Sequence, residues 1–348
     1  MKKKSLAAVS VPFRVTAPNR IDLAGGTLDI YPLYLLLDGA MTVNAAISIR
    51  SVVEVRPFER GGVRLRSENF NVSVVAADTH KILSGGKLGL IARALRHFPA
   101  VSGLDIVVRN EAPVGSGIGA SSALLVALMA AMGRVTGARN SWEETALAAM
   151  EIEASHLKGL AGRQDHVAAL RGGVQGIGFL PGRLDIRRFS PGGGHGRMLQ
   201  AYGILANSEI SHRSSDVNWR MIRGAIDGDA AVLRKFRGIA AAARDAWEAV
   251  SASDPDALAK AVSAEWNIRR TLAKEVSPGK IEALLGDRRF RRLVSGAKLC
   301  GAGNGGMLFG ILRDPTGRAE AESIIRAFGM SVMPFRLSGG LRFENIRI

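Results

Sequence analysis

The sequence predicts an α+β protein of two domains. Its 348 residues exceed the roughly 250–300 at which a single core stops growing. Its first half interleaves Val- and Ile-rich alternating stretches with helical ones. A helical run over 214–296 then gives way to a tail that alternates again. The loop PGGGHG at 191–196 marks the division, into residues 10–195 and 196–348.

The opening MKKKSLAAVSVPFRV has the basic start of a signal peptide, but Pro12 and Arg14 interrupt its apolar stretch. It reads as a charged tail before a first strand. Strands are expected at RVTAPNRIDLAG, AMTVNAAISIRSVVEVRPF, GVRLRSE and LDIVVRN, and a helix at LGLIARALRHF. The loop PVGSGIGASS, residues 113–122, precedes a helix from about 120 to 134 that is apolar all round and so predicted buried. A further helix starts at SWEETALAAMEIEASHL, where Ser141 and Glu144 form a capping-box pattern. GVQGIGF and RLDIRRF read as strands. In the helical run, Pro255 and Pro278 are placed as helix starts. The tail holds KLCGAGNGGMLFGIL, a helix at AEAESIIRAFG, and short strands to the end.

Composition narrows the function. A single cysteine, Cys300, excludes a disulfide within the chain and fits a reducing, cytoplasmic setting; it is expected to be buried and inert. No uncharged run approaches the roughly 18–20 apolar residues of a membrane span. The net charge of +16, with Arg288, Arg289, Arg291 and Arg292 close together, is what a binder of nucleic acid or anionic small molecules would show. Aromatics do not interleave with these charges as base stacking requires, so a solvated basic surface is the simpler reading and nucleic acid is not an expected partner.

The glycines of 113–122 suggest phosphate chemistry. Two formal matches to G-x-G-x-x-G/A exist, Gly115/Gly117/Ala120 and Gly301/Gly303/Gly306. A dinucleotide site also needs an acidic residue about 20 positions on, and none lies between 112 and 142. The second match runs into MLFGIL, a strand pattern rather than a helix, and neither match is followed by the Lys-Ser/Thr of a Walker loop. Exposed amides at a helix start still favour an anion, and Ser121 and Ser122 add hydroxyls for a phosphate or its Mg²⁺; a tight turn with serine caps is the plain structural alternative.

With these residues on the page, the chain resembles the GHMP kinases. The family's second motif looks like P-x-x-x-G-x-G-S-S-A, and here Pro113, Gly117, Ile118, Gly119, Ala120, Ser121, Ser122 and Ala123 follow it. The first motif, APGR or APGK, is matched by Ala17-Pro18-Asn19-Arg20, and the third glycine loop by Cys300 to Gly306. The nearest subgroup is the kinases of heptose 7-phosphate. LAGGTLDIYPLY, GRQDHVAALRGGVQGIGF and ISHRSSDV resemble segments of that group. The departures are Asn19, Ala120 in place of the first serine, and Leu28, extra between Thr27 and Asp29.

The resemblance implies an N-terminal two-layer α/β domain with a left-handed β-α-β unit and a ferredoxin-like C-terminal domain. It implies transfer of the γ-phosphoryl group of ATP to a sugar or sugar-phosphate hydroxyl; galactose, fucose and mevalonate are alternative acceptors, and a non-catalytic nucleotide or RNA binder is the rival class. The backbone of Pro113, Gly115, Ser116, Gly117, Ile118, Gly119, Ala120, Ser121 and Ser122 would hold the nucleotide. Ser121 and Glu153 would hold Mg²⁺; the neighbouring Glu151 lies about 200° away around a helix and cannot share that face. Asp165 would accept the acceptor's proton, with Arg20 as its cation. Asp29, His212, Arg213 and Gly303 are the substrate candidates, Asp29 as an acceptor of sugar hydroxyls that the extra Leu28 could turn away. A homodimer is left open.

Overall fold

The computed structural model describes residues 11–210 and 214–346. Strand β1 (Phe13–Ala24) is buried at all but one position, so it must lie inside a sheet and under a layer of helices. It pairs antiparallel with β2 (Met41–Pro57). Then come β3 (Val63–Ser67), β4 (Val72–Ala76), α1 (Gly89–Arg96) and β5 (Leu104–Asn110). β5 pairs antiparallel with β2 and parallel with β3, so β4 and α1 form a crossover between two parallel strands.

Helices α2 (Ala120–Thr136), α3 (Trp142–Leu157) and α4 (Gln164–Arg171) follow, then the hairpin β6 (Val174–Leu180) and β7 (Arg183–Phe189), which joins the sheet through β2. α2 is buried without a break from Ser122 to Met129, as its all-round apolarity predicts, and packs on α1, β1 and β2. α3 carries the capping box in full: the Glu144 amide donates to Ser141 Oγ at 3.1 Å, and the Ser141 amide to Glu144 Oε2 at 2.7 Å.

The second half runs α5 (Gly194–Tyr202), β8 (Gly203–Asn207), α6 (Ser214–Ile226), α7 (Ala230–Ala252), α8 (Pro255–Arg269), α9 (Gly279–Gly286), α10 (Arg288–Leu293), β9 (Val294–Leu299), β10 (Met307–Leu312), α11 (Arg318–Ala327), β11 (Ser331–Val332) and β12 (Arg342–Asn345). Strands β8 to β11 form one antiparallel sheet in the order β11-β8-β10-β9. With helices inserted after β8 and after β10, this is the split β-α-β-β-α-β pattern expected of a ferredoxin-like unit. The fold is α+β, with a large sheet and a small one.

Three details differ from the reading of the sequence. Strand β4 was not expected, because VSVVA has every side chain at least partly exposed and no strong inside–outside contrast. PGGGHG is not loop throughout, since α5 begins at Gly194 within it. The expected division at 195/196 is also crossed: β12 returns to pair with β1, Phe13 opposite Asn345, while Arg134 stacks on Phe13 and Phe343. An edge strand left open at β1 is covered in this way by the end of the chain.

Candidate active site

The two glycine loops meet. Residues 113–119 lead from β5 into α2, with Gly115, Gly117 and Gly119 at φ of 74°, 71° and 75°, a region open to glycine at little cost. The loop between β9 and β10 lies directly against it: the Met307 amide donates to Ser116 O at 2.8 Å. A Cβ on Gly306 would stand 2.5 Å from Ser116 O, and one on Gly301 would stand 2.9 Å from Gly117 O. Glycine is therefore required at 301 and 306 because the backbones of the two loops touch. The first turn of α2 has no side-chain cap, which leaves its amides for an anion.

Arg20, on β1, binds across this junction. Its Nε donates to Asp165 Oδ1 at 2.7 Å, Nη2 lies 2.6 Å from the same oxygen, and Nη1 donates to Gly117 O at 2.7 Å. Asp165 sits in the first turn of α4. A Cβ on Gly119 would come within 2.9 Å of Asp165 Oδ2, so Gly119 also makes room for this carboxylate. Burial pushes the Asp165 carboxyl above the ordinary range; Arg20 opposes the shift without cancelling it. A carboxylate tuned upward is a better proton acceptor near neutral pH than an ordinary one.

Glu153 is buried on α3, and Glu151 is exposed, as the helix geometry predicts. Ser121 Oγ donates to Glu153 Oε1 at 2.5 Å and Ser122 Oγ to Oε2 at 2.8 Å, while His166 Nε2 lies 3.2 Å from Oε2. Burial acts to raise this carboxyl, but His166 and the two serines outweigh it and hold Glu153 below its ordinary range. The loss of a serine at Ala120 is covered locally, since both remaining hydroxyls reach the carboxylate.

Asp29 faces the same cleft. Leu28 points into the hydrophobic core and is fully buried, and it does not turn Asp29 away from the cleft. The Gln164 amide donates to Asp29 Oδ2 at 3.0 Å, and a side chain on Gly162 would run into the Asp29 carboxylate. Burial, helped by the nearby Asp165 charge, pushes Asp29 up to about 6. A carboxyl raised by folding binds its proton more tightly in the native state, so its charge costs stability above that value and the cost fades as pH drops through 6. Asp29→Asn is accordingly expected to raise the unfolding free energy at pH 8 by up to about 3 kcal/mol, with the gain shrinking toward pH 4. Urea unfolding at the two pH values checks this; an equal change at both would mean that charge burial is not its origin.

These groups line one cleft of about 630 Å³. Arg20, Asp29, Gly115, Ser121, Glu153 and Asp165 all border it, as do Ser116, Gly117, Gly119, Ala120 and Ser122. Three sequence candidates do not line it. Pro113 only closes a turn, accepting from the Ser116 amide at 3.2 Å, and Ile118 is buried in the core. Gly303 packs against Val276, where a Cβ would meet its carbonyl at 2.6 Å, and Gly301 and Ala302 border the cleft instead. His212 and Arg213 lie outside the described residues.

The cleft also holds residues the motifs did not indicate. Thr27 and Asn218 border the Asp29 side, 3.5 Å apart through Oγ1 and Oδ1. Phe70, Lys87, Leu90 and His156 border the side beyond the glycine loop. Apart from Thr27, which lies in the LAGGTLDIYPLY segment, no local pattern announces them, since they are scattered along the chain. Cys300 is fully buried and its thiol is pushed up to about 11 by burial, which keeps it protonated and unreactive.

Comparison with known proteins agrees with this arrangement. The GHMP kinases N terminal domain matches residues 87–173. The chain is 26% identical to D-glycero-alpha-D-manno-heptose 7-phosphate kinase of Campylobacter jejuni over 90% of its own length and 93% of that protein. It is also 26% identical to mevalonate kinase of Aeropyrum pernix, over 95% and 98%. Its fold is that of a D-glycero-D-manno-heptose 1-phosphate kinase from Bacteroides thetaiotaomicron, with a TM-score of 0.77 and 20% identity over 97% of this chain and all of that one. With its three motif loops gathered around one cleft and residues 87–173 matching the GHMP kinases N terminal domain, the chain is a phosphotransferase with an alcohol group as acceptor, similar to kinases of that kind over most of its length.

Proposed function

We propose that the cleft transfers the γ-phosphoryl group of Mg·ATP to a hydroxyl of a sugar phosphate of the heptose 7-phosphate type. The observation that carries this reading is the Arg20–Asp165 pair, which touches both Gly117 and Gly119 of the anion-binding loop. A proton acceptor and a fixed cation thus stand together where phosphates and an acceptor hydroxyl would meet.

In this reading the amides of 115–121 hold the phosphates, and the apolar wall with Phe70 and Leu90 takes the base. Asp165 takes the proton of the attacking hydroxyl through Oδ2, the oxygen that Arg20 leaves free. Arg20 keeps Asp165 ionised and stabilises the charge that spreads over the transferred group. Asp29 accepts hydrogen bonds from acceptor hydroxyls. The sugar-phosphate preference rests on the likeness to a heptose 7-phosphate kinase over most of both chains. The lone buried cysteine fits a cytoplasmic setting.

The residues present fit Mg²⁺. Glu153 is held ionised, and the Ser121 oxygen keeps lone pairs while its proton goes to Glu153. A hard cation bound by one or two protein oxygens, water and substrate phosphates needs no larger carboxylate cluster, and among the described residues there is none. When bound, the ion would neutralise phosphate charge as the bond to the leaving group breaks. Glu153→Gln is expected to raise the Mg²⁺ concentration for half-maximal activity by about tenfold or more. Glu151→Gln should leave it unchanged, because its side chain is exposed. A Mg²⁺ titration of both variants decides; the reverse outcome would place the metal on the wrong face of α3.

The acceptor is tested by ATP consumption with heptose 7-phosphate, galactose, fucose and mevalonate. The highest kcat/KM is expected for the heptose. A preference for mevalonate or an unphosphorylated sugar would overturn the assignment. No turnover together with salt-sensitive RNA binding would favour the non-catalytic reading.

A further inference from the structure

Four charged side chains are buried to 0% exposure behind the cleft: Asp22, Glu265, Arg269 and Lys298. They form one chain of contacts between the large sheet and the second half of the protein. Lys298 Nζ on β9 lies 2.9 Å from Asp22 Oδ2 on β1 and 3.2 Å from Glu265 Oε2 on α8. Arg269 Nε donates to Glu265 Oε1 at 2.6 Å. The same guanidinium also reaches the turn before Asp29: Nη1 donates to Thr27 Oγ1 at 3.0 Å, and Nη2 donates to Gly26 O.

That turn is unusual. Thr27 has φ of 77°, a left-handed conformation that a β-branched residue avoids. The backbone closes around it, Leu28 N to Gly25 O at 3.0 Å and Ile30 N to Thr27 O at 3.2 Å. Such a conformation persists only where its surroundings over-determine it. Buried ion pairs, for their part, seldom stabilise more than apolar residues of equal volume would. What this group supplies is a fixed position for two hydrogen bonds on the turn.

We propose that Arg269 is a positioning residue for the acceptor: reaching from α8, it holds Gly26 and Thr27 so that Asp29 faces the cleft. This rests on the reading that Asp29 binds the acceptor. Glu265, Lys298 and Asp22 orient the guanidinium in turn, and Asp22 lies two residues from Arg20 on the same strand, so the acceptor turn and the Arg20–Asp165 pair are referred to one buried frame.

The test is amide hydrogen exchange over residues 24–31, with steady-state kinetics using heptose 7-phosphate. Arg269→Met should speed exchange in that segment more than in α2 or β5. It should raise KM for the sugar phosphate by about tenfold to 100-fold, the scale of a small misplacement, while KM for ATP stays within about twofold. Arg269→Lys, which keeps the charge but loses the fork, should fall between. If Arg269→Met does not fold, Thr27→Val removes only the hydroxyl and should show the same pattern, whereas Thr27→Ser should retain the parent's exchange. Exchange rising equally everywhere, or an unchanged segment 24–31, overturns the proposal. Asp29→Asn separates the two claims. If it raises the sugar-phosphate KM and the Arg269 variants do not, positioning fails and the acceptor site stands. If Asp29→Asn leaves that KM unchanged, the acceptor reading fails, and the exchange data alone decide whether Arg269 holds the turn.

Discussion

Asp165→Asn is expected to bind ATP as the parent does and to turn over about 100-fold to 10,000-fold more slowly, the scale of a positioned acid–base group. The substitution keeps shape and removes the proposed proton acceptor. Nucleotide affinity should survive because the amides of 115–121, Ser121 and Glu153 do not depend on Asp165. Arg20 would keep its bond to Gly117 O and donate to a neutral amide oxygen in place of the carboxylate, so the glycine loop should hold its form. The measurement is paired, nucleotide affinity and turnover on the same folded variant. Near-parental turnover with ATP bound would show that Asp165 is a structural loop residue and that proton transfer happens elsewhere.

Arg20→Met should have an effect of similar size by a different route. It removes the cation proposed to steady the transferred charge, a loss of about 100-fold to 1,000-fold for one such donor. It also leaves Asp165 buried without its partner, which typically costs about 3–5 kcal/mol. The lower end applies here, because the Asp165 side chain is 21% exposed. Without Arg20 the Asp165 carboxyl, already raised by burial, should rise further. Protonation then relieves the unpaired charge, so the stability deficit should shrink as pH falls and be largest at alkaline pH. Arg20→Lys should recover part of the stability and less of the rate, since an ammonium cannot hold Gly117 O and Asp165 together as the fork does. Chemical unfolding across pH, with kcat on each variant, checks both effects. A deficit that stays constant with pH would mean that the lost stability comes from packing rather than from the charge pair.

Much of the site was legible in the sequence because its parts obey local rules. Glycine at 115, 117, 119, 301 and 306 is demanded by backbones that touch or turn left-handed, and such positions tolerate little else. Ser141 and Glu144 announce a helix start by their spacing of three residues, and the helix period puts Glu153 and Glu151 on different faces. Arg20 and Asp165 carry no such mark. They are 145 residues apart, and only their motif neighbours pointed to them. Gly303 shows the limit of a motif, since the loop is in place but that glycine turns toward Val276.

By itself the sequence determined most strands of the large sheet, the buried helix after the glycine loop, the capped helix that carries Glu153, and the set of loops that can wrap phosphates. Each follows from periodicity, capping or the steric freedom of glycine, which act over a few residues. The tertiary structure alone decided the rest. It set β12 against β1, turned Leu28 into the core and Asp29 toward the cleft, and raised the Asp29 carboxyl to about 6. It also joined Asp22, Glu265, Arg269 and Lys298, drawn from β1, α8 and β9, into one buried group. The reason is that burial and charge pairing depend on which distant segments meet, and a charge in a buried strand, such as Lys298 in VSGAKLC, tells only that a partner must exist, not where in the chain it lies.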